Sequence, residues 1–493
     1  MNSNLYPSLY QINTRVWLNR LSPQIGRHAT LDDIPDAELD ELGNLGFDWI
    51  YFLSVWQTGL AARQVSRSNS QWLAEYEELL PDLQEDDICG SGFAITSYTL
   101  NTSLGDAACL IRLRDRLHQR GLKLMLDFVP NHTAPDHLWV QEHPEYYVSG
   151  TKAQLTEQPQ NYLKIDLPQG STVLAYGRDP YFDGWPDTIQ LNYGNLDLQA
   201  ALIDELVKIS QCCDGLRCDM AMLVLPEIFQ RTWGIATEPF WSKAIPQVRQ
   251  AHPEFIFMAE VYWDLEWTLQ QQGFDYTYDK RLYDRLREQH AQPVREHFWA
   301  DLDYQRKSAR FLENHDEPRV AATFASDLHQ AAAVLTYFCP GLRFFHQGQL
   351  QGWTQKISVH LCRAPEQPID PCLQAFYQKL LDALRMNVVR NGDWQLLECK
   401  HAWEGNWTRD CFIAFGWQGD DGQRAIAIVN YAPHQSQCYI PLPWEGLSGQ
   451  KFQLKDIMSS ASYEEHGDSL RFPGLYLDLP AWGYQVFELI QPE

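Results

Sequence analysis

Acidic and basic side chains cluster at the ends of four short apolar runs in this sequence. These ends read DFVPNH (127–132), GLRCDMAM (215–222), AEVY (259–262) and ENHDEPR (313–319). Burial of apolar surface does not favour carboxylates, histidines and an arginine at such points. Carboxyl and imidazole groups that converge on one place can move protons during catalysis, so these positions predict an acid–base site.

The runs that carry these ends are continuous rather than alternating. Such runs lie at five places: 48–56, 121–132, 214–222, 254–263 and 308–316. Continuous apolar runs are typical of parallel strands that are buried on both faces. Stretches with helical spacing, such as 107–121 and 198–213, separate them. We therefore predict an α/β fold, a (β/α)8 TIM barrel. No G-x-G-x-x-G motif follows a strand, so nothing indicates a dinucleotide cofactor.

Two segments differ in composition and hydrophobic pattern from the alternating strands and helices of the barrel. Residues 133–197 are rich in Pro, Gly, Tyr and Asp, and are too long for an ordinary barrel loop. We predict that they form an inserted loop domain after strand 3. Residues 391–493 carry short β-rich runs bounded by turn residues, which predicts a C-terminal antiparallel β-sandwich domain. The barrel itself is assigned to residues 1–132 and 198–390.

In barrels of this kind the active site lies at the C-terminal ends of the strands, so the four clusters should meet at one mouth. The residues concerned are Asp127, Asn131, His132, Arg217, Asp219, Glu260, His315 and Asp316. Taken singly, an Asp or Asn after a strand most often caps the next helix. Capping does not require an arginine two residues before Asp219, so we interpret the set as one site.

The set resembles the α-amylase superfamily, glycoside hydrolase family 13. Its four strand-end motifs match the four ends above in order, and WPDTIQLNYGN (185–195) is similar to a fifth, weaker motif. The resemblance implies a retaining α-glycoside hydrolase that acts on α-linked glucose oligosaccharides or polysaccharides through a covalent glycosyl-enzyme intermediate. Such cleavage requires two carboxyl groups about 5–5.5 Å apart.

The resemblance also assigns roles to residues. It implies that Asp219 is the nucleophile, Glu260 the general acid/base, and Asp316 the carboxylate that stabilises the transition state. Arg217, close in sequence, should keep Asp219 ionised and oriented. The residues expected to bind substrate are Arg217, His132, His315, Phe93 and Asp127. Tryptophans in loops near strand ends could stack on sugar faces; these are Trp56, Trp185, Trp233, Trp263 and Trp353.

Several positions depart from the family pattern. Phe93 stands where a tyrosine is expected, and Ala94 and Ser97 stand in place of acids. By the resemblance, the acid replaced by Ala94 would grip a terminal glucose, which argues against a strict exo-acting α-glucosidase. Gln190 replaces an aspartate that often belongs to a calcium site, which leaves Asn131 as a weak candidate ligand. We therefore expect no required cofactor and do not favour structural calcium.

Composition limits the possible partners. Asp plus Glu number 64 and Lys plus Arg 39, which gives a formal net charge of −25 and makes nucleic acid and membranes poor partners. A neutral sugar fits this charge better. The eleven cysteines show no C-x-x-C spacing and are expected to be reduced thiols. The N-terminal stretch lacks a basic segment followed by an apolar one, so we expect no secretory signal and a cytoplasmic protein.

Two alternatives remain open at this point. One is a transglycosylase: a glucanotransferase, a disaccharide isomerase or a sucrose-using enzyme. It would form the same covalent intermediate, but a sugar rather than water would react with it. A non-catalytic carbohydrate-binding homologue would keep the fold alone. The sequence does not determine linkage, chain length or oligomeric state.

Overall fold

A closed barrel of eight parallel strands forms the centre of the protein. The structure, a computed structural model, describes residues 4–167 and 170–492. The barrel strands are β1 (Ser8–Asn13), β2 (Trp49–Leu53), β3 (Lys123–Phe128), β4 (Gly215–Cys218), β5 (Ile256–Ala259), β6 (Tyr276–Tyr278), β7 (Ser308–Arg310) and β8 (Leu342–His346). Each pairs in parallel with its neighbours in chain order, and β8 closes on β1. The predicted TIM barrel is confirmed.

Burial on both faces explains why these apolar runs form barrel strands. Every residue of β2, β4, β7 and β8 is buried, so that inward side chains fill the barrel and outward ones meet the helices. The register between β3 and β4 sets Arg217 beside Asp127. Strand pairing therefore already brings two predicted site residues together.

The helices lie mostly around the barrel. The α-helices are Thr14–Ile25, Asp36–Asn44, Leu60–Ser68, Ser70–Leu79, Cys109–His118, Leu138–Glu142, Lys152–Glu157, Leu196–Ile209, Pro226–Trp233, Trp241–Ala251, Glu266–Gln271, Lys280–Arg287, Ala291–His297, Leu302–Arg306, Val320–Thr323, Ser326–Tyr337, Pro371–Leu384, Asn387–Asn391 and Gly467–Arg471. The helix Leu196–Ile209 is an example of why these segments are helical. The Asn195 side chain caps its first turn, and one face packs against the barrel through Leu198, Leu202 and Leu206.

Two excursions rise from the mouth of the barrel. The predicted one after β3 contains the hairpin Tyr162–Leu167 and Gly170–Ala175, and the short pair His132–Thr133 and Ile189–Gln190 ties its two ends together. The other is a helical insertion, residues 60–79, between Trp56–Thr58 and Ile95–Leu100. The sequence interpretation did not anticipate this insertion.

The C-terminal part forms two antiparallel sheets, as predicted. Six strands make the larger sheet and three the smaller; in chain order they are Asp393–Leu396, Lys400–His401, Phe412–Gln418, Arg424–Asn430, Ser436–Ile440, Lys451–Asp456, Ser462–His466, Leu475–Leu479 and Tyr484–Ile490. Alternate residues of Phe412–Gln418 enter the barrel's core cluster, while Phe412 and Ala414 enter a second cluster with the smaller sheet. The larger sheet therefore has two buried faces.

No helix in residues 4–167 or 170–492 is long and apolar enough to cross a membrane. The eleven cysteines are all free thiols, and six of them are buried. The boundaries predicted for the three segments stay a prediction, although the elements change type close to them.

Candidate active site

Arg217 holds two carboxylates at the mouth of the barrel. It is fully buried in β4, and its Nη1 lies 2.7 Å from Asp219 Oδ1 while its Nη2 lies 2.6 Å from Glu260 Oε2. Asp219 follows β4 directly, and Glu260 follows the adjacent strand β5. Two carboxylates on neighbouring nitrogens of one planar guanidinium must lie side by side.

Glu260 accepts hydrogen bonds from two further donors. The backbone N–H of Met220 donates to Oε2 at 2.8 Å, and the Tyr262 hydroxyl donates to Oε1 at 2.7 Å. Met220 has a φ of 42°, a strained backbone conformation for a residue other than glycine, at the point where its N–H meets the carboxylate. Burial raises the pKa of Tyr262, so its hydroxyl keeps its proton. Sequence reasoning missed Tyr262, although it lies inside the quoted motif.

Asp219 has fewer donors than Glu260. Burial raises its pKa well above the usual range; Arg217 opposes this, and the charge of Glu260 adds to it. The sequence predicts that Arg217 keeps Asp219 ionised and oriented; the ion pair favours the ionised form and burial opposes it, so this stays a prediction. The two acids share one cation, Arg217.

Asp316 lies on the turn that follows β7. The strand ends at Arg310, earlier than the apolar pattern suggested, and the Asn314 side chain accepts from the N–H groups of Asp316 and Glu317 to form the turn. Asp316 Oδ2 lies 2.9 Å from His315 Nε2 and 3.8 Å from Arg217 Nη2. Burial alone would raise its pKa, but His315 and Arg217 hold the pKa of Asp316 well below its usual range.

The other predicted substrate-binding residues surround these acids. Phe93 stacks on the His315 ring at 5.4 Å. His132 contacts Trp185 edge to face at 5.3 Å, and burial lowers the pKa of His132 to about 3, so its ring is neutral. A neutral imidazole both donates and accepts hydrogen bonds, as binding a sugar hydroxyl requires.

Asp127 lies beneath this layer. Its side chain accepts hydrogen bonds from the Tyr51 hydroxyl and, at 2.8 Å, from Ser54 N–H, and it lies 3.8 Å from Arg217 Nη1. It is 1% exposed. The contacts that the structure shows are therefore to Tyr51, Ser54 and Arg217; its predicted substrate-binding role stays a prediction.

A cavity of about 250 Å³ contains the three acids. Its walls are formed by Trp72, Ser91, Phe93, His132, Trp185, Asp187, Thr188, Asp219, Met220, Glu260, Asp316 and His360. A second cavity of about 560 Å³ adjoins it and shares Trp72, Asp316 and His360. Carboxylates set among aromatic side chains in connected cavities suit a chain of sugar rings.

Trp72 and His360 join the helical insertion to the loop after β8. Their rings lie 4.5 Å apart, and the Ser66 hydroxyl lies 2.8 Å from His360 Nδ1. Neither residue was singled out from the sequence, because nothing in the local pattern shows that the insertion reaches the mouth of the barrel.

Only some of the candidate tryptophans reach the cavity wall. Trp185 does, whereas Trp56 is 1% exposed and belongs to the core. Arg20 covers Trp353, Arg178 covers Trp233, and Trp263 lies against Tyr181. Stacking on sugar faces in the cavity itself is therefore left to Trp185 among the five.

The candidate calcium position has a donor where a cation would be needed. Gln190 Nε2 donates to Asn131 O at 2.9 Å, Asn131 Oδ1 at 3.0 Å and Leu191 O at 3.1 Å. Three oxygens of the kind that calcium prefers therefore point at an amide nitrogen. Within the described part of the chain no group of three or more His, Cys, Asp or Glu could hold a metal. These residues do not fit a calcium ion.

A barrel whose strand ends converge on three acids defines a class of barrel enzyme with its site at the C-terminal face. The alpha-amylase family, described as "Alpha amylase, catalytic domain", matches residues 37–387. The chain belongs to the alpha-amylase family.

Comparisons with single proteins agree with this family. The chain is 25% identical to Alpha-amylase MalA of Haloarcula japonica over 75% of this chain and 51% of that one. It is 28% identical to Alpha-1,4-glucan:maltose-1-phosphate maltosyltransferase of Burkholderia pseudomallei over 56% of this chain and 22% of that one. The chain thus spans about half of the first relative and about a fifth of the second.

Solved structures show the same fold. The noncanonic maltogenic alpha-amylase AmyB from Thermotoga neapolitana is similar over 100% of both chains, with a TM-score of 0.69 and 17% identity. An alpha-amylase from Lactobacillus plantarum is similar over 98% of this chain and 99% of that one, with a TM-score of 0.66 and 21% identity.

Proposed function

We propose that this protein cleaves α-glucosidic bonds in α-linked glucose oligosaccharides or polysaccharides, with retention of configuration. The observation that carries the proposal is the single guanidinium of Arg217, which holds Asp219 and Glu260 side by side in a cavity that also contains Asp316. Retaining cleavage needs two neighbouring carboxyl groups, at about 5–5.5 Å, rather than two separated by room for a water molecule.

The proposed reaction has two steps. Asp219 attacks the anomeric carbon while Glu260 gives its proton to the leaving oxygen, so the glycosidic bond breaks as an ester bond to Asp219 forms. A water molecule then attacks the same carbon, Glu260 takes its proton, and the ester bond breaks. Asp316, held ionised by His315 and Arg217, stabilises the positive charge that develops on the ring.

The first step requires a proton on Glu260 and a charge on Asp219. Burial raises the pKa of Asp219 and so disfavours its charged form in the free protein. A sugar ring whose anomeric carbon becomes positive beside Asp219 stabilises the ionised form of that carboxylate. The charge that the first step needs on Asp219 is therefore stabilised by the reacting sugar itself.

Transglycosylation on the same scaffold is the second candidate function. It is favoured by the likeness to a protein named a maltosyltransferase and by the second cavity beyond Asp316, which has room for an acceptor sugar. The non-catalytic alternative finds no support in the geometry, since all three acids line one accessible cavity.

The net charge and the free thiols indicate the kind of substrate and the cellular compartment. A net charge of −25 favours a neutral glucan over nucleic acid or anionic membranes. Eleven free thiols, with Cys372 exposed, fit a reducing compartment, and we place the protein in the cytoplasm on this ground.

The test is incubation with starch, maltose, maltotriose, isomaltose, trehalose, sucrose and pullulan, with and without added glucose. Chromatography identifies the products, and NMR of the first product reports its anomeric form. We expect α-configured products, and a loss of at least about 1,000-fold in kcat for Asp219→Asn and Glu260→Gln. Added glucose shifts the products to longer sugars only if transglycosylation dominates.

Asp115→Asn is the matched control, because Asp115 is exposed on the helix Cys109–His118, away from the site. Full activity is expected for it. Folded Asp219→Asn with normal turnover on every active glucan, or a β-configured first product, would contradict the proposal.

A further inference from the structure

Asp187 is a fourth carboxyl group in the catalytic cavity that the proposed reaction does not use. It lies in the excursion after β3, between Trp185 and the strand Ile189–Gln190, and its side chain forms part of the cavity wall. It is 4% exposed. Among residues 4–167 and 170–492 its carboxylate makes no hydrogen bond or ion pair with the side chain or backbone of any other residue.

Among the described residues, the neighbours of Asp187 do not replace the hydrogen bonds to water that its carboxylate loses on burial. Thr188 is already committed, since its hydroxyl donates to Trp185 O at 2.9 Å and accepts from Gly177 N–H at 3.1 Å. His132 is neutral, as described above. In the part of the chain that the structure describes, no lysine or arginine lines the cavity. Burial without a partner raises the pKa of Asp187 to about 6.

An unpaired buried carboxylate costs the folded protein stability and is found where a ligand completes it. The groups able to complete Asp187 must enter the cavity, must donate hydrogen bonds, and must be small enough for about 250 Å³. A neutral sugar ring meets these conditions, because adjacent hydroxyls can each donate to one carboxylate oxygen. A phosphorylated or acidic ring does not, because the cavity wall presents four carboxyl groups, and the nearby cation, Arg217, is buried behind them and already paired with Asp219 and Glu260.

We propose that Asp187 is a specificity-determining residue that binds hydroxyl groups of the neutral sugar ring held in the catalytic cavity. This rests on the proposed function and adds to it the class of ring that the cavity accepts. The bond is made to a part of the ring that does not react. Asp187 therefore acts mainly on binding, whereas the three reacting acids act on turnover.

The test compares Asp187→Asn with Asp183→Asn, a control in the same excursion whose side chain is exposed. We expect kcat/KM of Asp187→Asn on the best glucan to fall about 10–100-fold, mainly through KM, since a hydrogen bond to a charged group is lost. Asp183→Asn should stay within twofold. The melting temperature of Asp187→Asn should be equal to that of the wild type or higher, which a structural role for this carboxylate would not allow.

Monodeoxy maltosides locate the hydroxyl. Removing the hydroxyl that Asp187 binds should lower kcat/KM of the wild type about 10-fold or more. The same removal should have little further effect on kcat/KM of Asp187→Asn. The inference is overturned if no deoxy position shows this coupling, or if Asp187→Asn matches Asp183→Asn while the wild type is active.

Calorimetric titration with maltotriose measures binding without turnover. A wild type that cleaves no glucan but binds maltotriose would contradict the proposed function, and loss of that binding in Asp187→Asn would still support the inference. Unchanged binding in Asp187→Asn would overturn it.

Discussion

The guanidinium of Arg217 lies among four carboxylates: Asp219 at 2.7 Å, Glu260 at 2.6 Å, and Asp127 and Asp316 both at 3.8 Å. This one planar cation orients the two reacting acids, and the chemistry proposed here needs a proton on Glu260 that can reach the leaving oxygen. The same residue thus fixes the spacing of the two acids.

Arg217→Lys should reduce kcat about 100–1,000-fold. A lysine keeps the charge, but its single ammonium cannot hold two carboxylates side by side as the planar fork does. Steady-state kinetics on the best glucan measures the loss. Arg249→Lys is the control, because Arg249 pairs with Asp275 at the opposite end of the barrel strands. A kcat within threefold of the wild type would show that charge alone suffices.

Asp187→Asn should become more stable relative to the wild type as the pH rises. In the folded protein the pKa of Asp187 is raised to about 6 from a usual value of 3.8. A raised carboxyl pKa means that the folded state is penalised by ionisation: the penalty is absent below about pH 4 and complete above about pH 6. Asparagine does not ionise, so the variant avoids a cost on the order of 1–3 kcal/mol.

Thermal unfolding at pH 4 and pH 7.5 measures this difference. The gap in melting temperature between variant and wild type should be larger at pH 7.5. If the difference in melting temperature is the same at pH 4 and pH 7.5, ionisation of Asp187 does not destabilise the folded protein. Some group would then form a hydrogen bond or ion pair with its carboxylate.

At the scale of the elements, the sequence could predict which site residues lie at the ends of the barrel strands. Asp219 and Glu260 follow neighbouring strands, and the ends of parallel strands meet at one edge, so order along the chain was enough to group them. Asp316 was grouped for the same reason, although β7 is shorter than its apolar run. Strand geometry is regular, which is why this part of the site could be predicted.

Residues on the long connections could not be grouped in this way. Trp72, His360 and Asp187 reach the cavity from a helical insertion, the loop after β8 and the excursion after β3. The path of such segments depends on long-range packing that no local period encodes. Asp187 stood inside a quoted motif, and only its burial without a partner made it noticeable.

The join between the excursion and the barrel depends on the amide of Gln190. Gln190→Glu keeps the shape but removes the donor that faces three oxygens, so the free energy of unfolding should fall about 2–4 kcal/mol. Calcium should recover part of this loss, because the new carboxylate would complete an oxygen site. Thermal unfolding with EDTA or calcium measures both effects.

The wild type is the control for this experiment. Its melting temperature should be the same in EDTA and in calcium, since the amide nitrogen already lies among the three oxygens, where the cation would have to bind. A wild-type melting temperature that falls by several degrees in EDTA would contradict our account of this position.

At the scale of the whole molecule, one core connects the barrel with the C-terminal sheets. Trp417 of the larger sheet is fully buried, donates from Nε1 to Phe338 O at 3.0 Å, and contacts Tyr6 edge to face at 5.2 Å. The sequence predicted the two kinds of architecture from their different periodicity. It could not predict that they share a core, because contacts between distant segments leave no local signal.

Trp417→Ala should lower the free energy of unfolding by about 3–5 kcal/mol, through lost burial and the cavity left behind. Because the core is shared, differential scanning calorimetry should show one transition at a lower temperature. Trp403→Ala, which truncates a tryptophan that is 54% exposed, should have little effect. A separate early transition that leaves the barrel's transition in place would show that the C-terminal sheets unfold alone.

The central claim is that a sugar becomes covalently bound to Asp219. The most direct test is to treat the protein with a 5-fluoro α-glucosyl fluoride, which slows breakdown of such an intermediate, and to locate the added mass by peptide mass spectrometry. Our account predicts one sugar adduct on the peptide that contains Asp219, and none in Asp219→Asn. A wild type that turns over glucans yet forms its adduct on another residue, or releases inverted products, would contradict it.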